Sequence, residues 1–354
     1  MVIVGRHPDF MNIKIPALTS WSSYLARELH TRQIWRALLV SLPVLVAFWW
    51  SGDRLWLQSA IIALATLIGL ERVGLAPLGV LLHGVLTLLC FMALLFSLHI
   101  PALFIVVCAS MAAATVGLMA YGRKLRSLGN FIFIPALYLA CEIAQNCPPD
   151  RLVSRALQVL PYLALCIVPV LLLSLLDVWR APRSSSASLW STRFHLRHAQ
   201  DLGAMVPVGA AVTVVLLAVS SAAVIALFLH LEHLQWLIWS TASVVTGDRA
   251  SAQLKLFDRA RGALLGVPLG VMLGWLLPHG AQPYGLVVMA SLLTLVAFKR
   301  YCVGFGARCA CVACALMLAN QGALVAAERV FDVLLGGAVG VLFVLAQHYV
   351  ARQR

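Results

Sequence analysis

The feature that most constrains this chain is a succession of apolar runs, each long enough or nearly long enough to cross a hydrocarbon core of roughly 30 Å. Six lie at about 34–50, 55–70, 76–98, 101–120, 128–144 and 152–178, and six more at about 202–229, 234–246, 260–277, 284–298, 302–320 and 330–349. With 62% hydrophobic and only 11% charged residues, most side chains must face lipid or other buried helices, because one or two soluble cores cannot hide so many. Helices are required, since backbone groups inside lipid must be satisfied within the segment, and no ten-residue alternation of a membrane barrel is present. The expected fold class is therefore all-α: a polytopic transmembrane helical bundle of about twelve helices.

The net charge of +13 does not point to nucleic acid, because the basic residues sit in short clusters between apolar runs. Their distribution is first a topology signal. With the N-terminus inside, all of the 26 Lys and Arg except Arg54, Arg151, Arg155 and Arg329 fall on the cytoplasmic side, as the positive-inside rule expects. The first residues are mixed, polar and interrupted by Pro8 and Pro16, so residues 1–33 read as a retained cytoplasmic segment touching the membrane surface through Trp21, Tyr24 and Leu25. Both termini are expected in the cytoplasm of a bacterial inner-membrane protein.

The runs divide into two sets of six, 34–179 and 202–350, separated by a serine-rich, basic linker over 180–201. The sets look like copies of one unit. Trp56, then Glu71-Arg72, then His83-Gly84 in the first is answered by Trp236, then Asp248-Arg249, then Arg261-Gly262 in the second. Tyr121-Gly122-Arg123-Lys124 is answered by Phe298-Lys299-Arg300, and Asp150-Arg151 by Glu328-Arg329. An even number of spans per unit makes the two repeats parallel.

The second half carries a resemblance. Its Trp-led span at Trp236, Gly247-Asp248-Arg249, the stretch FDRARGALLGVPLG with Arg259, Arg261, Gly262, Gly266 and Gly270, and the closing Glu328, Arg329, Asp332, Gly336, Gly337 and Gly340 resemble the fusaric acid resistance (FUSC-like) and aromatic acid exporter family. The first half is similar to the same module but lacks the Arg-x-Arg-Gly run. The resemblance implies an inner-membrane efflux protein for aromatic carboxylic acids, working with a periplasmic adaptor of the membrane-fusion type. Larger members carry a cytoplasmic domain between the halves, where this chain has only the linker 180–201.

Short or interrupted spans at matching places in two repeats are the best sequence pointer to a transport site. The second span of each unit is among the shortest, and each ends in an acid followed by arginine. An anionic substrate arriving from the cytoplasm would meet Arg72, Arg249, Arg259 and Arg261, whose guanidinium groups bind a carboxylate in bidentate fashion, with Trp56, Trp236 and Trp239 supplying aromatic faces. Interfacial arginine and tryptophan are also expected from topology and the aromatic belt alone. The candidates for proton coupling are Glu71, His83, Glu142, Asp248 and Asp332.

Cys309, Cys311 and Cys314 do not reproduce a paired zinc motif and read as helix packing beside Gly304, Gly306, Ala310 and Ala313. His230, Glu232 and His233 form an outer loop that reads as solvated before it reads as a metal site. Glycines at every fourth position, Gly262 to Gly274 and Gly336 to Gly340, give ridges for close helix contact. No nucleophile elbow, His-Glu-x-x-His or P-loop is present, so neither an enzyme nor an ATPase is expected, and no cofactor or metal is implied. The expected partners are membrane lipid, an aromatic or other organic acid, the adaptor and a second copy of the chain. The competing function class is a membrane scaffold that transports nothing.

Overall fold

The computed structural model describes residues 28–180, 195–198, 202–205, 208–245 and 249–353. Twelve α-helices follow one another among them: α1 Thr31–Ser51, α2 Leu55–Val73, α3 Pro77–Ser97, α4 Pro101–Gly117, α5 Leu125–Gln145, α6 Leu152–Arg180, α7 Gly209–Phe228, α8 Leu234–Val244, α9 Arg249–Leu276, α10 Ala281–Ala297, α11 Tyr301–Leu318 and α12 Gly322–Gln353. Nine are long and apolar enough to cross a membrane; α10 is apolar but has 17 residues. The chain reverses where the sequence supplies the chemistry. Gly52 and Gly74 adopt left-handed φ of 70° and 68° after α1 and α2 and return their N–H groups to Phe48 and Leu70, while Pro77 and Pro101 open α3 and α4 with φ already set.

The same helix pairs touch in both units. α3 packs on α5 and α6, and α2 on α6; α9 packs on α11 and α12, and α8 on α12. Between units, α1 lies against α10 and α4 against α7, so the first helix of each unit meets the fourth of the other. The lead-in to each unit follows the same exchange: Lys299 N–H donates to the Glu28 carbonyl at 2.9 Å and Lys124 N–H to the Leu202 carbonyl at 3.0 Å. Each lead-in is thereby tied to the turn between helices four and five of the opposite unit. Glu28 adds an ion pair with Arg300 at 2.9 Å.

α7 begins at Gly209 instead of near 202, with 202–205 outside any helix, and three further boundaries differ from the sequence reading, each for a local reason. α9 begins at Arg249 instead of near 260, because no glycine or proline falls between Arg249 and Arg261 to stop the helix. α12 begins at Gly322, so Glu328 and Arg329 lie inside the helix and not in a loop before it, and Asp332 lies well within it and not at its start. α2 continues to Val73, nineteen residues in all, and is not short. Only α8 is: eleven residues span about 16 Å, roughly half a hydrocarbon core. Residues 246–248 that follow, Asp248 among them, lie outside the described residues, as do 1–27 and most of the 180–201 linker.

Small residues set the helix spacing. Gly266 and Gly270 of α9 abut the backbone of Gly306 and Ala310 in α11, and Gly336 of α12 abuts the Leu237 carbonyl of α8. That closeness lets Ser240 and Thr241 of α8 donate to the Val333 and Gly336 carbonyls of α12 at 2.7 and 2.8 Å, so the short helix is bonded to its neighbour through buried hydroxyls.

Candidate functional site

The symmetry between the units fails at several helix contacts, and a cavity lies at one of them. α2 packs along α5, but their counterparts α8 and α11 have no comparable contact. The gap forms a cavity of about 570 Å³ walled by α2 and α5 of the first unit and α8, α10, α11 and α12 of the second. Its rim is formed by Gln145, Asn146, Glu232 and Gln321, all exposed and all on the side opposite the linker. Along α10 its wall runs from Tyr284 to Leu295, a drop of about 17 Å at 1.5 Å per residue. It therefore penetrates most of the bundle from the far side.

Two arginines project into this space. Arg308 of α11 is held by Thr294 of α10, donating from Nε to the hydroxyl at 3.1 Å and from Nη2 to the carbonyl at 3.4 Å. Arg329 of α12 is 4% exposed and lies over the Trp236 ring with its guanidinium carbon 4.9 Å from the centroid. His233 stacks on the other part of that aromatic arrangement, 4.1 Å from Trp236 and 23° from parallel. Trp236, Trp239, Tyr138 and Tyr284 line the cavity, and Arg54 sits over Tyr284 at 5.2 Å. Among the described residues neither Arg308 nor Arg329 forms an ion pair. Asp332, 2% exposed and three residues along α12, is close enough for the Arg329 charge to act on it, yet its Oδ1 has no hydrogen-bond partner and neither does Arg329 Nε. Such an arrangement presents buried cationic donors and flat apolar faces to whatever enters.

A second basic group lies at the linker end of the same unit boundary. Arg72 of α2, Arg126 of α5 and Arg259 of α9 all act electrostatically on Lys255 of α9. Aromatic rings stand where acids would be expected: Arg72 over Phe131 at 5.5 Å, Lys255 over Tyr301 at 5.6 Å and Arg259 over Phe305 at 4.3 Å. Arg259 Nη1 donates to the Tyr301 hydroxyl at 3.0 Å, and Arg126 donates to the Val245 carbonyl where α8 ends.

The residues expected from sequence are dispersed over these two places and beyond them. Trp236 and Glu142 line the cavity, and Asp332 lies behind it. Arg72 and Arg259 belong to the linker-side group. Arg249 and Arg261 are exposed on other faces of α9. Glu71 is bound to Arg36, which also grips Asp177 through two hydrogen bonds; the acid ties α2 to α1 and α6. His83 is 4% exposed within the first unit beside Gly69, away from the cavity. Trp56 packs edge-on against Tyr162 at 4.9 Å. His83-Gly84 and Arg261-Gly262 are not equivalent in space, since Gly84 faces Ile167 of α6 and Gly262 faces Phe305 and Gly306 of α11. His233 is part-buried against Trp236 and not a solvated loop residue, and no cluster of three metal-ligating side chains occurs among the described residues. The nine cysteines are all unpaired, with Cys309 and Cys314 packed inside the bundle.

Arg308, Arg329, Tyr138 and Tyr284 escaped the sequence reading. By charge distribution alone Arg308 is indistinguishable from the cytoplasmic charges and Arg329 from a loop charge ahead of the last apolar run. The signal that finds Arg308 is a lone arginine seven residues into an otherwise apolar run.

Two six-helix units around a deep cavity lined by two arginines define a multi-pass helical membrane protein. Residues 207–343, from the start of the second unit into its last helix, match the family model described as fusaric acid resistance protein-like, in agreement with the resemblance of that half. No curated protein and no solved structure matches the chain.

Proposed function

We propose that this protein is a secondary exporter of aromatic or related organic acids across the bacterial inner membrane. The observation that carries this reading is the cavity between the units, where Arg308 and Arg329 stand among four aromatic rings. A planar carboxylate matches a guanidinium fork, and the attached ring matches Trp236 and Tyr284. With the linker side taken as cytoplasmic, the reading that the distribution of basic residues favours, the cavity opens to the periplasm. The anion arrives at Arg72, Arg126, Lys255 and Arg259 and leaves through the cavity, where a periplasmic adaptor would receive it.

Proton coupling belongs to the same proposal. Glu142 at the cavity wall and Asp332 near Arg329 are the carboxylates proposed to carry the proton, with Glu232 at the rim. Export driven by an inward proton requires that proton and anion exclude each other at the site, so that one of these carboxylates is protonated only when the anion has left.

The test is flux of labelled benzoate from liposomes holding the purified protein, with a pH gradient and a membrane potential imposed separately. Export that needs the pH gradient is the expected result. Flux driven fully by potential alone removes the proton from the scheme, and no flux above protein-free liposomes under either gradient overturns the transport reading.

A further inference from the structure

Arg259, Arg308 and Arg329 come from three helices of the second unit, α9, α11 and α12, and they are ordered through its thickness. Arg259 is level with the first turns of α11, bonded to Tyr301 and lying over Phe305. Arg308 is one turn further along the same helix and forms part of the cavity's deep wall. Arg329 reaches in from the far side, seven residues after α12 begins at Gly322, or about 10 Å below that end. The middle member lines the same cavity as Arg329 and lies one helical turn beyond Phe305, the ring over which Arg259 sits.

None of the three has a carboxylate within ion-pair distance among the described residues. Arg259 and Arg329 are 3% and 4% exposed, and the Nε of each is buried without a hydrogen-bond partner. Arg308 uses Nε and Nη2 on Thr294, leaving Nη1 uncommitted at the cavity wall. Three like charges, Arg259 and Arg329 buried and Arg308 half-buried at the cavity wall, repel one another and forfeit solvation inside a bundle this apolar. A mobile anion with a planar oxygen pair relieves both costs, and it does so at each step in turn.

Building on the transport reading above, we propose that these three guanidinium groups form a ladder along which the organic anion crosses the second unit, with Arg308 the step shared between the two sides. Arg259 takes the carboxylate from the linker-side group, Arg308 accepts it next to Thr294, and Arg329 holds it against Trp236 before release. The first unit carries no counterpart of the middle step: its corresponding helix, α5, has Arg126 at the linker end and no basic residue deeper. The path is therefore confined to one half of the pseudosymmetric bundle.

The experiment compares the unaltered protein with Arg308→Gln and Arg308→Lys, measuring labelled benzoate flux in liposomes and equilibrium benzoate binding in detergent. Arg308→Gln is expected to lower flux at least about tenfold while binding, retained by the arginines at either end, changes less than about threefold. Arg308→Lys is expected to recover part of the flux, because it restores the charge without the fork. Flux in Arg308→Gln within about twofold of the unaltered protein overturns the ladder and leaves the transporter standing. Equal loss of flux and binding in both variants also overturns it, assigning Arg308 to holding α10 instead. If the unaltered protein moves no benzoate, the transport reading fails and the ladder with it.

Discussion

A guanidinium buried among apolar helices without an acid partner costs several kcal/mol, and Arg329 offsets part of that through the Trp236 face beneath it. His233 completes the column by stacking on the same indole. Burial holds the His233 imidazole below its ordinary value near 6.5, and the Arg329 charge pushes the same way against the opposing pull of Glu232. The imidazole is therefore neutral at pH 7, and the folded protein binds a proton there less readily than the unfolded chain. Below pH 6.5 the unfolded state holds more protons, so stability falls as the solution is acidified and is fully present above that value. The melting temperature in detergent should drop between pH 7 and about 5.5, and His233→Phe, which keeps a ring on Trp236 but cannot take a proton, should flatten that drop. Identical pH profiles for the two proteins would show that His233 has no part in it.

At the scale of helices, close approach decides what is tolerated. A methyl group at Gly270 would be driven into the Ala310 carbonyl oxygen, a backbone atom that cannot swing aside, whereas a methyl at Gly209, the first residue of α7, meets nothing. Gly270→Ala should destabilise the bundle by about 1–3 kcal/mol, and Gly209→Ala should leave it unchanged; a thermal melt of each variant in the same detergent reads the difference, and equal midpoints would contradict the α9–α11 contact. This contact was legible in the sequence, since glycines at every fourth position of an apolar run have one common use in a membrane. The twelve helices were legible for the same kind of reason: apolar length is set by bilayer thickness and needs no tertiary information. The site was legible only in part. Arg72, Arg259 and Trp236 could be singled out because composition marks helix ends, but Arg329 looked like a loop charge until α12 proved to start at Gly322. Arg249 and Arg261 looked equal to Arg259 because sequence spacing does not say which face of α9 meets the other unit.

For the whole molecule, the two units hold each other by exchange. α1 lies against α10 and α4 against α7, and the backbone pairs Lys299 with Glu28 and Lys124 with Leu202 repeat that swap at the linker end. The matching motifs at Tyr121–Lys124 and Phe298–Arg300 announced this in the sequence as similarity, but similarity between turns does not reveal that each receives the lead-in of the opposite half. The cavity was hidden for a related reason: it exists because α8 and α11 fail to copy the contact of α2 with α5, and a departure from symmetry in packing leaves no mark on residue spacing. An interface built from helix faces of both halves, to which Leu196 and His198 add backbone bonds with Ala76 and Gly74 of the first unit, should not need the covalent link. Cutting the chain between residues 181 and 194 and expressing both pieces together should yield a complex that co-purifies in detergent and retains benzoate flux, because the loss of a tether costs only effective concentration. Each piece alone would expose the faces of α1, α4, α7 and α10 that the other covers, together with half of a polar cavity wall, and should be degraded or aggregate. Halves that purify separately as stable, monodisperse proteins would show that the exchange contacts do not bind the two units, and the cavity between them would then have no fixed wall.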